Sequence, residues 1–512
     1  MKLSATVIGL CVPLITWAGE PASQAKVSPV ATGRPTPQAS SVPRPVVVQH
    51  AGNFNGTRLT YTSTVEAIDV PMADRKGGAR VVSFAYVRND DGASTGRPVL
   101  FLFNGGPITA SIWVHMGVFG PKRVQAPADL DARLDSYRLI DNPLSPLDVA
   151  DLVFIDPADT GFSRRLPGTP ENAYRSVESD AQQVAGFIQR WLATHNRLAS
   201  PVYIMGESYG TVRAPKVIEQ LAAMPRSVLV DGIFLLGQAV NIVEYSQRPD
   251  NIISYAVSLP TLAATAWYHN KVDRSGRTFN QFIREAQDYG ATEYLQALFQ
   301  GSDLPGSERR VVARRLEQFT GIPADYYVSR GLRITKEEFR LELLKERGLL
   351  LGRNDARYTA PVTDKGGLPD PSDTIAQAYA ELWKSYLTSD LGVKWSDAYK
   401  PMAAIKSLED WNWDGSSPFS SWPYGKSITQ LMALNPKFRV LIGNGYYDTQ
   451  TTIGAADYLR AQSGWPSDRV ALRYYHGGHM AYTVDSAAAR ISDDVRKLVT
   501  GAPMPTVAQG EQ

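Results

Sequence analysis

Residues 202–222 read VYIMGESYGTVRAPKVIEQLA, and the order of residue types along them decides the fold. Val202 to Met205 is a continuous apolar run, as expected of a strand buried on both faces, and Val212 to Ala222 is helix-compatible. Between them stands Gly206-Glu207-Ser208-Tyr209-Gly210, a G-x-S-x-G pentad. A sharp strand-to-helix turn that exposes a serine hydroxyl brings neighbouring backbone close, so it needs small residues two before and two after the serine. Ser208 is therefore the candidate nucleophile, and a serine that merely caps the helix is the plainer alternative.

The same kind of run recurs at Val99 to Phe103, Leu152 to Ile155, Ile233 to Leu236, Val440 to Ile442 and Val470 to Tyr475, the first four followed directly by Gly, Asn or Asp and the last by His476-Gly477. This predicts an α/β fold: an α/β-hydrolase with a mostly parallel central sheet and a helical cap insertion. Upstream, a β pattern begins near Thr57, and Arg80 to Val87 with the turn cluster Asn89-Asp90-Asp91-Gly92 predicts an antiparallel edge hairpin. Between Leu236 and Val440 the strand rhythm stops, and helices are predicted over 282–299, 307–319, 335–346 and 375–386. The core thus falls into two parts, 48–240 and 431–505, around a cap at 241–430. The tryptophans of that interval suit either an apolar pocket or the cap's own core, and each one alone reads better as core.

The N-terminus carries Lys2, the apolar run Leu3 to Ala18, and small residues at Ala18 or Ala25 that could precede a cut. Residues 1–25 therefore read as a signal peptide, and an exported, periplasmic or secreted protein is expected. The run is too short for a stable membrane span. Residues 26–47 read as a Pro-rich linker. The single cysteine, Cys11, lies in the signal, so the mature chain would have neither a disulfide nor a thiol nucleophile. With 53 Lys and Arg against 51 Asp and Glu, the charge balance gives no reason to expect nucleic acid as a partner.

A serine hydroxyl needs a base to take its proton, and in this fold the order along the chain is Ser, acid, His. Beyond Ser208 only His269, His476 and His479 remain, and His269 falls in the cap. Asp448 follows Val440 to Ile442 through Gly443-Asn444-Gly445, a loop after a late strand. His476 and His479 follow the last strong run, and the two glycines before His479 allow a loop that returns its imidazole to the serine. His479 is therefore the preferred base and His476 a loop-packing residue. No helix carries the two histidines and no HExxH or cysteine set accompanies them, so no metal is expected. The developing oxyanion needs donors, expected from the N–H of Tyr209 and from Asn104-Gly105-Gly106-Pro107 after the run Val99 to Phe103.

Together, Asn104 to Pro107, Asp156 to Ser163, Gly206 to Tyr209 and Gly478 to Met480 resemble the N-G-G-P, D-x-P-x-x-T-G-F-S, G-E-S-Y and G-H-M elements of the serine carboxypeptidase family, the S10 peptidases, in order and approximate spacing. Leu441 to Asp448 and Gly477 to Tyr482 look like its bacterial branch. The resemblance implies Ser208, Asp448 and His479 as the triad, Gly106 and Tyr209 as the oxyanion hole, and Asn104, Gly105 and Glu207 as binders of the substrate's terminal carboxylate. Two positions depart from the family pattern. Ile108 stands where glycine is usual, and Val118 where a glutamate joins the carboxylate clamp in the eukaryotic enzymes. His115 or Arg123, from the same segment, could assist the clamp.

The expectation is an exported carboxypeptidase acting on peptides with a free C-terminus and needing no cofactor. An esterase or acyltransferase could use the same acyl-enzyme, and a catalytically silent binding protein could keep the fold.

Overall fold

The computed structural model describes residues 42–72, 76–89, 94–362, 370–403, 405, 407–415, 422–505 and 507–508. Residues 1–25, read above as a signal peptide, most of 26–47, read as a linker, and the turn residues Asp90 to Gly92 lie outside them.

The strands are β1 (Val46–Phe54), β2 (Thr57–Pro71), β3 (Gly78–Arg88), β4 (Val99–Phe103), β5 (Lys122–Gln125), β6 (Arg138–Asp141), β7 (Asp151–Asp156), β8 (Arg164–Arg165), β9 (Val202–Glu207), β10 (Gly232–Leu236), β11 (Leu349–Leu351), β12 (Thr359–Pro361), β13 (Arg439–Gly445), β14 (Val470–Tyr475) and β15 (Val507–Ala508). Among the described residues eleven of them form one sheet in the order β1-β2-β3-β7-β4-β9-β10-β13-β14-β15, with β8 beside β3. From β7 to β15 every pairing is parallel, while β1, β2 and β3 add an antiparallel ribbon at one edge. The edge is thus a three-strand ribbon and not the hairpin expected. β1 escapes the sequence reading because its alternate residues are exposed and Gly52-Asn53 interrupts it.

Every residue of β4, β7, β9 and β10 is buried, which is why these strands read as unbroken apolar runs. Their side chains alternate between two cores. Phe101, Phe103 and Ile204 face the helices Val177–Thr194 and Gly210–Ala223, whereas Leu100, Leu102 and Met205 face the helix Asp485–Thr500. Each such side chain withdrawn from water contributes about 1.5 to 3 kcal/mol.

The intervening region is mainly helical, with helices Leu259–Tyr268, Phe279–Tyr289, Gly306–Thr320, Lys336–Glu342 and Asp373–Ser389. Thr335 starts the fourth of these through a reciprocal capping box with Glu338. The antiparallel hairpin β11–β12 interrupts the helices, its three-residue strands too short to leave a sequence pattern. The last helix lies against the sheet itself, where Trp383 meets Phe84 of β3 edge-on at 5.1 Å.

Strand order reverses beside β4: the chain passes from β4 out to β7, then returns across β4 to β9. The carboxyl ends of β4 and β9 therefore flank a crevice, the place where open α/β sheets bind ligands. Asn104 to Pro107 leaves one strand and Ser208 the other. Among the described residues no helix is long and apolar enough to cross a membrane.

Candidate active site

Ser208 sits between β9 and the helix Gly210–Ala223 with φ of 57°, in the left-handed region that non-glycine residues rarely occupy. Its N–H donates to Leu236 O at 2.9 Å, which fixes the turn against the end of β10. The small residues around it are needed as the pentad requires. A Cβ on Gly206 would collide with the Gly210 carbonyl, and one on Gly210 would press on the Asn104 carbonyl at 3.0 Å.

His479 Nδ1 and Asp448 Oδ2 are 2.7 Å apart, with Asp448 wholly buried and His479 nearly so. The other Asp448 oxygen accepts the N–H groups of Gln450 at 2.8 Å and Thr451 at 3.0 Å. The Thr451 hydroxyl also donates to Asp448 Oδ2. Burial opposes the charge of His479, but the Asp448 carboxylate and its hydrogen bond outweigh it and raise the imidazole above its ordinary value. Gly237, the residue after the acceptor of the Ser208 N–H, lies against this imidazole: a Cβ there would be 3.1 Å from Cε1. Ser208 and His479 thus flank the same short stretch, Leu236-Gly237.

Two features of the histidine loop were not legible in the sequence. The N–H of His479 donates to Asn354 O at 2.6 Å. Asn354 belongs to the β11–β12 connection, whose Arg353 and Asn354 amides are gathered by the buried carboxylate of Asp370. The loops of both acid and histidine are therefore braced from the intervening region: Thr449 Oγ1 donates to Arg353 O at 2.8 Å, and the Ala356 N–H to Tyr447 O at 2.9 Å.

Beside this pair lies a second carboxyl group. Glu207, 3% exposed, accepts from Asn104 Nδ2 on one oxygen and from Tyr482 Oη, at 2.9 Å, on the other. Burial pushes it up to about 7, and the neighbouring His479, when protonated, and the two donors only partly offset this. Asn104 is itself fixed, its Oδ1 accepting the Val114 N–H at 3.1 Å and its carbonyl accepting Arg213 Nη1 at 2.7 Å. Arg213 Nε reaches Asp180 at 2.6 Å, and Tyr209 Oη donates to the same carboxylate at 3.0 Å. Trp411 and Trp413 pack edge-on to the Tyr209 ring at 5.3 and 5.8 Å, which gives these tryptophans a backing role.

Gly105 and Gly106 face the serine turn. A Cβ on Gly105 would collide with the Tyr209 amide nitrogen and the Glu207 carbonyl, so only glycine allows this approach. Ile108 adopts φ of 60°, the conformation that glycine would take without strain. Its carbonyl accepts the Ala403 N–H at 3.0 Å, and Ala110 N–H donates to Pro401 O at 2.9 Å, so the segment 401–403 holds the loop in place. The Asp156 to Ser163 motif supports it from below, Asp156 Oδ1 accepting both the N–H and the hydroxyl of Ser111 at 2.8 Å.

The crevice thus gathers Ser208, Asp448, His479, Asn104, Gly105, Gly106, Tyr209 and Glu207. His476 is elsewhere, packed between Phe279 and Tyr446. His115 does not reach the clamp: it is fully buried, stacks on Phe154 at 3.9 Å and meets Tyr86 Oη at 2.7 Å. Arg123 pairs with Asp485 at 2.8 Å. Val118 is wholly buried in the core. Tyr482, three residues after His479, joins the site through Glu207 although no sequence pattern marks it. Among the described residues no group of three or more His, Cys, Asp or Glu could hold a metal ion.

Comparison with known proteins places a family match on this region. Residues 78–282 match the family model Peptidase_S10, described as serine carboxypeptidase. A probable serine carboxypeptidase of Arthroderma benhamiae is 24% identical over 213 residues, 37% of this chain and 38% of that protein. Serine carboxypeptidase-like 17 of Arabidopsis thaliana is 27% identical over 130 residues, 24% of this chain and 28% of that protein. The chain therefore spans well under half the length of these relatives. A solved structure of Kex1, a prohormone-processing carboxypeptidase from Saccharomyces cerevisiae, aligns with 86% of this chain and 91% of its own at 14% identity and a TM-score of 0.49.

Proposed function

We propose that this chain is a serine carboxypeptidase that removes residues from peptide C-termini through an acyl-enzyme on Ser208, a reading supported by the match of residues 78–282 to the serine carboxypeptidase family model. His479 takes the Ser208 proton as the oxygen attacks the last peptide carbonyl, and Asp448 orients the imidazole and stabilises its charge. The N–H groups of Gly106 and Tyr209 receive the oxyanion. His479 then gives its proton to the departing amine, and water, activated by the same imidazole, resolves the ester and regenerates the serine.

The observation that carries the carboxypeptidase reading is Glu207, buried beside the His479–Asp448 pair and pushed up to about 7. An ionised carboxylate would repel a substrate C-terminus. A protonated one donates a hydrogen bond to it, and Asn104 offers its amide alongside. The direct experiment is labelling with a fluorophosphonate. Ser208 should be modified in the wild type, and Ser208→Ala should abolish both labelling and peptide turnover. Labelling on a different serine contradicts the reading.

Val118 favours a second reading, an esterase or acyltransferase, because that position supplies no acid to a carboxylate clamp. We also propose export to the periplasm or medium, supported by Lys2 and the apolar run Leu3 to Ala18. An intact mass that includes residues 1–18 on exported protein would contradict cleavage of that segment.

A further inference from the structure

A second cleft, of about 470 Å³, lies beyond β13 and β14 rather than over β9, and none of its lining residues belongs to the site described above. Trp267, Phe279 and Tyr447 form apolar walls, and Arg274, Arg490 and His476 supply its polar groups. Arg490 has no carboxylate within ion-pairing distance among the described residues. The acids one turn further along its helix are taken: Asp493 by Lys497, and Asp494 by Arg473 at 3.0 Å. Arg274 is held with its guanidinium 4.9 Å from the Trp267 ring centroid while Nη2 donates to the Trp267 carbonyl, so it is oriented without being neutralised. The nearby acids are committed elsewhere, Asp355 to Arg357 at 2.5 Å and Asp485 to Arg123 at 2.8 Å.

His476 adds its ring to the wall. Its Nδ1 lies 3.5 Å from the Tyr447 hydroxyl, whereas Nε2 is buried with no hydrogen-bond partner among the described residues. Burial, with Arg490 and Arg357 nearby, holds this imidazole below its ordinary value, so it is neutral at pH 7. The cleft therefore offers a flat aromatic slot with two guanidinium groups that no carboxylate neutralises. That combination matches a planar apolar body carrying one carboxylate, which a guanidinium binds through paired hydrogen bonds. We infer that this cleft is a binding site for a small aromatic carboxylate, distinct from the serine site. An aromatic amine or a zwitterionic amino acid fits it poorly, since its ammonium would face Arg274 and Arg490.

The test is isothermal titration of the whole protein with indoleacetate, with indoleacetamide and acetate as controls. Indoleacetate should bind saturably, at least about 10-fold more tightly than either control. Arg490→Gln should weaken it by about 10-fold or more, and Arg490→Lys by less, because lysine keeps the charge and loses the fork. Asn104→Ala should leave it unchanged, which separates this site from the serine crevice. The inference is overturned if no saturable binding occurs below about 10 mM, if Arg490→Gln has no effect, or if Asn104→Ala abolishes binding and places the probe beside Glu207. Thermal unfolding checks that Arg490→Gln is folded. If it is not, Arg274→Gln, at the exposed rim, is read in its place with the same expected loss and the same contrary result.

Discussion

Tyr482 donates a 2.9 Å hydrogen bond to Glu207 across 275 residues of sequence, and the absence of a side chain at Gly117 makes room for its ring. The donor lowers a carboxyl that burial raises to about 7. Removing it in Tyr482→Phe should raise Glu207 further and keep it protonated to higher pH. In the carboxypeptidase account, kcat/KM for peptides with a free C-terminus falls as Glu207 ionises. That descending limb should therefore move to higher pH in Tyr482→Phe and leave amidated substrates unaffected. A limb that stays put, or moves to lower pH, contradicts the role given to this pair.

Glu207 also makes stability depend on pH. Its folded value lies above its ordinary one of 4.5, so the folded state binds more protons between pH 4.5 and about 7. Its contribution is neutral below pH 4.5 and becomes a cost as pH rises through that window. Glu207→Gln removes the titration, so the variant should gain on wild type between pH 4.5 and 8, by about 1 to 3 kcal/mol. Urea unfolding across this range checks the slope. Parallel curves for the two proteins would show that Glu207 titrates normally.

The buried Asp180–Arg213 pair ties Tyr209 to Asn104. Arg213→Ala leaves Asp180 without its cation and should cost about 3 to 5 kcal/mol, whereas Asp180→Asn/Arg213→Met should cost less than the single change. Denaturant midpoints of the single and double variants decide this. A double variant no better than the single one would mean that the charge pair is not the source of the loss.

The strands of the sheet centre were legible because burial on both faces leaves an uninterrupted apolar run, as at Val99 to Phe103. The serine turn was legible because its glycines have a steric reason. β1 was hidden by its exposed alternate residues, and β11–β12 by brevity. The Asp180–Arg213 pair, the Tyr482 donor and the Asn354 contact to His479 are long-range meetings with no local pattern. His115 follows the same rule in reverse: it is close to Asn104 in sequence, but the turn from Ile112 to Phe119 carries it to Phe154 and Tyr86.

Asp370 gathers the Arg353 and Asn354 amides, and Asn354 O receives the His479 N–H, so Asp370 acts as a positioning residue for the histidine. Asp370→Ala should lower kcat by about 10-fold to 100-fold with KM little changed, as expected when a base is misplaced while substrate contacts survive. A rise in KM at constant kcat would instead assign this brace to substrate binding.

Recognition of a free C-terminus is decided by mass spectrometry of one peptide offered with a free and with an amidated C-terminus, to wild type and to Asn104→Ala. Stepwise loss is expected from the free terminus, with much slower cleavage of the amide and a drop of about 10-fold to 100-fold in kcat/KM for the free peptide alone in Asn104→Ala. Equal cleavage of both forms by wild type, with Asn104→Ala affecting both alike, would contradict it and favour the esterase or acyltransferase reading.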